Sequence, residues 1–396
     1  MLPQRLEKGF RFPYFTLRII RKIMEKIANP FPVITYQGPE YFCDRQQEIE
    51  RLQEAIKNGR NVTLTALRRM GKTGLIQHLF EQISGKKGMR CFYIDLYPTQ
   101  SQADLIKTLA RHTLGKLDSN HMKLMRELAN FFTHLRPVIQ YDPLSGAPAI
   151  EFTLDANYQA EHSLDQIFTY MERSGQQIVI ALDEFQQITE YKEQNTEALL
   201  RTFVQRSKNI RFIFSGSHSS ILQAMFRDQG RPFYQSTDIM QLGPIEHEVY
   251  SRFIVEKFAE AKKKISIENA DRILDWCRHH TYYVQLVCNR LFSKGIKQPD
   301  DWYIENLFRE ILQENQPVYY NYRKLLTGNQ WSLLQGIARE KGAKQVMGAE
   351  FIRKNELGTP SSVQTALQAL QDKEMIFEEE GRWWVYDVFL SRWLEG

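Results

Sequence analysis

Val62-Thr63-Leu64-Thr65 runs directly into Ala66-Leu67-Arg68-Arg69-Met70-Gly71-Lys72-Thr73, and the helical pattern Leu75-Ile76-Gln77-His78-Leu79-Phe80 follows at once. An apolar strand, a short loop closing on Gly-Lys-Thr and a helix make a phosphate cradle, because the loop N–H groups and the helix N-terminus converge on an anion. Gly71 lets the backbone approach phosphate oxygens with no Cβ in the way. Lys72 is placed to carry its ammonium to the β- and γ-phosphates, and Thr73 to ligate Mg²⁺. Arg68, Arg69, Met70 and Gly74 complete the expected nucleotide contacts. Ala66 stands where the full motif has its first glycine.

A second motif supplies the acids. Gln177-Ile178-Val179-Ile180-Ala181-Leu182-Asp183-Glu184 is an apolar run ending in two carboxylates, the pattern of a parallel strand buried on both faces. Ligands of open α/β sheets bind at the carboxyl ends of strands. Asp183 is expected to hold Mg²⁺ opposite Thr73, and Glu184 to orient and deprotonate the attacking water. Lys72 and Glu184 are therefore the candidate catalytic residues.

Strand patterns recur at 62–66, 90–96, 177–182, 210–214 and 239–242, separated by helical patterns, the alternation of a parallel α/β sheet. Residues 137–157 are turn-rich and read as an inserted loop or hairpin. Ser215 and Ser217 lie just after the fourth strand, where a hydroxyl can sense the γ-phosphate or the attacking water. Arg231, in the turn Gly230-Arg231-Pro232, is a candidate γ-phosphate contact, in cis or from a neighbouring subunit. Residues 246–316 read as wholly helical, with a helix starting at Cys277 in their middle, and form a lid over the nucleotide.

The rhythm changes near residue 328. A helix over roughly 329–340 is followed by a short helix near 349–354. Thr359 as N-cap and Pro360 at the first helical position then open a third helix. Met375-Ile376-Phe377-Glu378-Glu379-Glu380-Gly381-Arg382-Trp383-Trp384-Val385 reads as a β-hairpin. Three helices and a hairpin make a winged helix.

With 396 residues, 42% hydrophobic and 25% charged, the chain has the composition of a globular protein with room for two or three domains. It lacks the ~18 consecutive apolar residues of a membrane span. Cys43, Cys91, Cys277 and Cys288 show no C-x-x-C spacing and the nine histidines no H-E-x-x-H, which argues against a disulfide framework or structural zinc and for a reducing cytoplasm. The net charge of +5 is concentrated in residues 1–26, where seven Lys/Arg face two Asp/Glu. Two readings of that segment stand side by side: a basic amphipathic arm over 1–28, or residues without function ahead of a start at Met24.

Asn29-Pro30-Phe31, the box Phe42-Cys43-Asp44-Arg45, the loop ending Gly71-Lys72-Thr73, Leu182-Asp183-Glu184, Ser215-Gly216-Ser217 and the terminal winged helix together resemble the archaeal-type P-loop ATPases of the STAND branch of AAA+ relatives. The resemblance spans roughly residues 29–396. It implies a five-stranded parallel sheet over 29–245, an all-α lid over 246–327 and a winged helix over 328–396, with ATP or ADP and Mg²⁺ at their junction acting as a switch. It also places Arg45 among the nucleotide contacts. Asp44, Ala66 and Thr281 stand where that family usually has glycine, glycine and proline.

The favoured function is an ATP-binding, slowly hydrolysing switch with a protein partner; oligomerisation through Arg231 stays open. The alternatives are a DNA-binding regulator or mobile-element protein using the winged helix, and a scaffold that holds ADP without turnover. Charge separates the first two. From Asn329 onward eight Lys/Arg face ten Asp/Glu, whereas DNA affinity comes mainly from neutralised phosphates. Ser361, Ser362, Gln364, Thr365, Gln368 and Gln371 on the third helix are polar and uncharged, which favours protein contact or autoinhibition over DNA.

Overall fold

The computed structural model describes residues 29–85, 88–117, 131–141 and 148–396. The basic arm assigned to 1–28 lies outside the described residues. The chain divides into two compact units. One comprises residues 34–253 with 274–284; the other contains residues 29–33, 254–273 and 285–396.

The first unit is built on a five-stranded parallel sheet in the order β2-β5-β6-β1-β7. Its strands are β1 (Val62–Thr65), β2 (Met89–Asp95), β5 (Gln177–Asp183), β6 (Ile210–Gly216) and β7 (Asp238–Gln241). The helices are α1 (Gln46–Lys57), α2 (Lys72–Ile83), α3 (Gln102–Leu117), α4 (Ala160–Arg173), α5 (Thr196–Arg206) and α6 (Ser219–Arg227). Alternation along β5 explains why its whole apolar run is needed. Ile178, Ile180 and Leu182 enter one core with residues of α3 to α6, while Val179 and Ala181 enter another with Leu52, Leu75 and Leu79 of α1 and α2. Successive strand side chains point to opposite faces, so a strand with helices on both sides must be apolar throughout.

The turn-rich stretch is a hairpin, β3 (Leu135–Tyr141) paired antiparallel with β4 (Pro148–Leu154). Leu135, Ile150 and Phe152 bury into the same core as α3.

The strand order is what assembles the site. β6 lies between β1 and β5, and all three run in the same direction. Their carboxyl ends therefore bring the phosphate-loop sequence, Asp183-Glu184 and Ser215-Gly216-Ser217 to one edge of the sheet.

The helical content expected over 246–316 is present. Helices α7 (His247–Glu260), α8 (Ile267–Trp276), α9 (Thr281–Ser293) and α10 (Asp301–Leu325) are separated by non-helical connections. The helix expected from Cys277 begins at Thr281, because Arg278 and His279 adopt left-handed backbone with φ 51 and 56°, which ends α8 before α9 can start. Helix α10 runs past 316 and carries Pro317 in its interior.

In the second unit Phe31 is fully buried against Phe258 and Phe292, with ring centroids at 5.4 and 6.2 Å. Asn29 Nδ2 donates to Asn289 O at 2.8 Å and Asn289 Nδ2 to Phe31 O at 2.7 Å, so the Asn-Pro-Phe mark is an anchor for the chain entering this unit. The winged helix consists of α11 (Gly328–Arg339), α12 (Ala349–Lys354), α13 (Pro360–Asp372), the hairpin β8 (Ile376–Glu379) and β9 (Arg382–Val385), and a closing helix α14 (Val388–Glu395). Capping boxes at Thr327 with Gln330 and at Thr359 with Ser362 start α11 and α13. Trp393 of α14 packs on Tyr319 of α10 and on Trp331 of α11 at 5.4 and 6.2 Å.

Candidate nucleotide site

Gly71 is the N-cap of α2 and has φ 94°, a left-handed conformation that glycine adopts without penalty. A Cβ built there would meet Thr281 Cγ2 at 3.8 Å, an ordinary van der Waals contact. Lys72 follows in the first turn of α2, is 7% exposed and donates from Nζ to Ala66 O at 3.3 Å. Burial pushes its ammonium below the usual lysine range, with Arg68 adding to the shift, while Asp183 and Glu184 pull it back up. A buried cation held by one carbonyl is a poorly satisfied cation, and an anion in front of it restores what burial removes.

Asp183 gathers hydroxyl groups. Its Oδ2 accepts from Thr73 Oγ1 at 3.2 Å and from the Tyr93 phenol, and its Oδ1 accepts from Ser215 Oγ at 2.6 Å. Thr73 is thus joined to the acid 110 positions away, the pairing expected of two groups flanking one cation. Tyr93 was not foreseen. Its place follows from the parallel register that sets Asp95 opposite Asp183, information absent from a single sequence. Burial and then the two neighbouring carboxylates raise the Asp95 carboxyl, with the Tyr97 N–H opposing.

Glu184 is held separately. Its backbone is left-handed at φ 51°, a conformation uncommon outside glycine and found often at functional turns. Its Oε2 accepts from Ser217 N at 3.1 Å, from Ser217 Oγ at 2.8 Å and from Gln186 Nε2 at 2.5 Å. Ser215 and Ser217 therefore address the two carboxylates. Gln186 was not singled out, although a polar residue two positions beyond Glu184 is a readable signal.

The α8–α9 connection reaches the phosphate loop. Thr281 Oγ1 donates to Met70 O and Tyr282 N to Arg69 O, both at 3.2 Å, and the Arg69 guanidinium lies 4.5 Å from the Tyr282 ring centroid. Arg69 itself has φ 66°. Beside it His280 is 7% exposed and its Nδ1 has no hydrogen-bond partner among the described residues. Burial, then Arg69, Lys72 and Arg278, push it down to about 4. A neutral imidazole facing this cluster of cations was also missed.

The remaining expected contacts have their partners elsewhere. Arg45 donates to Glu48 Oε1 at 2.8 Å and to Gly243 O at 2.7 Å. Asp44 and Arg45 take φ 55 and 69°, so Asp44 adopts left-handed backbone at the position where glycine is usual. Phe42 of the same box stacks on His78 of α2 at 4.3 Å, and Gly74 of α2 faces the Phe42 ring, which a Cβ would meet at 3.6 Å. Arg231 pairs with Glu197 Oε2 at 2.8 Å.

Residues 42–285 match the ATPase domain found predominantly in Archaea, well over half of the chain. The chain belongs to this archaeal-type ATPase family. Residues 317–396 match a probable winged helix domain. No curated protein matches the chain. Among solved structures, this archaeal-type ATPase is similar to the Walker-type ATPase of Pyrococcus abyssi, at 17% identity and a TM-score of 0.66, with 92% of this chain and 99% of that one covered. It is also similar to the ORC2 protein of Aeropyrum pernix, solved as ADPNP–ADP complexes, at 13% identity and a TM-score of 0.56, with 95% and 96% covered. The ORC1 protein of the same organism, solved in complex with DNA, is 10% identical at a TM-score of 0.50, with 93% and 96% covered. At these identities the likeness is one of fold. No described helix is long and apolar enough to cross a membrane.

Proposed function

We propose that this ATPase-family chain binds ATP and ADP through the loop 66–74 and works as a nucleotide-dependent switch with slow, Mg²⁺-dependent hydrolysis. The observation that carries it is the pair formed by buried Lys72 and the Thr73–Asp183 hydrogen bond at the mouth of a left-handed Gly71. Lys72 and the N–H groups of the loop and α2 bind phosphate oxygens. Arg68, Arg69, Met70 and Gly74 shape that cradle. Thr73 and Asp183 fit Mg²⁺, being a hydroxyl and a carboxylate within hydrogen-bond reach of each other, and a bound Mg²⁺ supplies charge neutralisation at the β- and γ-phosphates.

Glu184 is the group that takes the proton from water. Its Oε2 is held by Ser217 and Gln186, which orients the carboxylate and leaves Oε1 to accept the proton. Residues 246–327 serve as the helical lid of this switch. A protein partner is read from α13, whose exposed Gln364, Thr365, Gln368 and Gln371 carry no charge. Arg45 and Arg231, held by Gly243 O and Glu197, would reach nucleotide only after leaving those partners.

DNA binding is the second reading. It draws support from the winged helix and from the ORC1 relative in complex with DNA, and is disfavoured by the excess of acids from Asn329 onward. The test of the main proposal is phosphate release from Mg-ATP together with equilibrium binding of labelled ATP and ADP. Tight binding of both with turnover well below the ~10 s⁻¹ of a median enzyme is expected. Absence of binding overturns it.

A further inference from the structure

Among the described residues His247, Asp275 and His279 bring one ligand atom each to within 4.8 Å of one another. They come from three places in the chain. His247 opens α7, Asp275 sits in the last turn of α8, and His279 lies in the left-handed connection to α9. His247 Nδ1 is 3.4 Å from His279 Nε2, and Asp275 Oδ1 is 3.5 Å from the same nitrogen.

Those separations are long for hydrogen bonds, whose usual range is roughly 2.7–3.2 Å. One imidazole N–H also cannot serve two acceptors well. They do match the spacing of ligands around a tetrahedral zinc ion, where donors at 2.0–2.1 Å from the metal lie about 3.3–3.4 Å apart. Two imidazoles and a carboxylate suit zinc and its late first-row neighbours, whereas Mg²⁺ and Ca²⁺ take oxygen ligands. Asp275 is exposed and both histidines are half-buried, so an ion has an entry path and a position for water.

We propose that His247, Asp275 and His279 form a zinc-class metal site that clips α7 to the α8–α9 connection. The clip joins residues far apart in sequence, and Thr281 and Tyr282, two and three positions beyond His279, hydrogen-bond Met70 O and Arg69 O. A metal here fixes the backbone that leads into the start of α9, whose Thr281 and Tyr282 touch the phosphate loop. That consequence rests on the nucleotide function; the metal site itself does not.

The test titrates the full, tag-free chain with Co²⁺, followed by its visible absorption bands, and with Zn²⁺ by calorimetry, in the absence of nucleotide. One saturable equivalent is expected, with Zn²⁺ displacing Co²⁺. His247→Gln and His279→Gln each lower affinity by more than the roughly 10–100-fold that even an outer-shell partner costs, while Asp275→Asn weakens it less. His134 and His162, whose rings lie 6.1 Å apart, supply the control: His134→Gln with His162→Gln leaves the site intact. Far-UV circular dichroism in EDTA shows that the variants fold, and Zn²⁺ raises the melting temperature of the wild type but not of His279→Gln. Absence of saturable binding in the wild type, or wild-type affinity in the folded His247→Gln and His279→Gln proteins, overturns the proposal. Mg-ATP binding is measured on the same samples, so loss of metal and loss of nucleotide are read separately.

Discussion

Ser217 donates twice to one oxygen of Glu184, from its backbone N–H at 3.1 Å and from its hydroxyl at 2.8 Å. The tip of β6 thereby holds the acid that follows β5, and the carboxylate is fixed before any substrate arrives. Glutamine at position 184 can keep accepting from these donors but cannot take a proton. Glu184→Gln is therefore expected to bind ATP as the wild type does and to lose turnover by on the order of 10²–10⁴. Single-turnover phosphate release beside equilibrium binding checks it; unchanged turnover would remove Glu184 from the chemistry.

Gly216 lies between the two serines. A Cβ there would come within 2.0 Å of Gln186 Oε1, the amide group that also donates to Glu184. Gly216→Ala must push Gln186 aside, so a stability loss of about 1–3 kcal/mol, the usual effect of overpacking, is expected in urea denaturation. A neutral effect would mean that Gln186 moves freely and does not brace the acid.

Phe31 is fully buried between Phe258 and Phe292. Phe31→Ala should destabilise the unit that contains it by about 3–5 kcal/mol, visible as a lowered denaturation midpoint. A loss under about 1 kcal/mol would show that the Asn-Pro-Phe anchor is not a structural fixture.

The positive charge of the chain resides in residues 1–26, while the winged helix is acidic overall. Any affinity for duplex DNA should fall steeply between roughly 50 and 200 mM salt, as counterion release requires, and should largely disappear from a chain beginning at Met24. Sequence-selective binding retained by the shortened chain at the higher salt would move the function to the winged helix.

Much of the architecture was readable because it is local. The continuous apolar run Ile178–Leu182 announces a strand buried on both faces, and Thr359-Pro360 announces a helix start; both are present. What escaped is non-local or conformational. The Tyr93–Asp183 contact depends on β2 pairing with β5 at the edge of the sheet, and strand order is not encoded in any short window. The start of α9 was placed four residues early, since periodicity does not register that Arg278 and His279 turn left-handed. The partners of Arg45 and Arg231, Gly243 O and Glu197, lie 198 and 34 positions away and are likewise brought near only by the fold.

The most direct measurement is equilibrium titration of labelled ATP, with Mg²⁺, against the wild type and Lys72→Ala. Lys72 is the buried cation of the loop, its ammonium disfavoured by burial and hydrogen-bonded to Ala66 O. The variant is expected to lose binding by at least ~100-fold, since a charged hydrogen-bonding partner of the phosphates contributes on the order of 3 kcal/mol. Wild-type affinity in a folded Lys72→Ala protein would contradict the assignment of residues 66–74 as the nucleotide site.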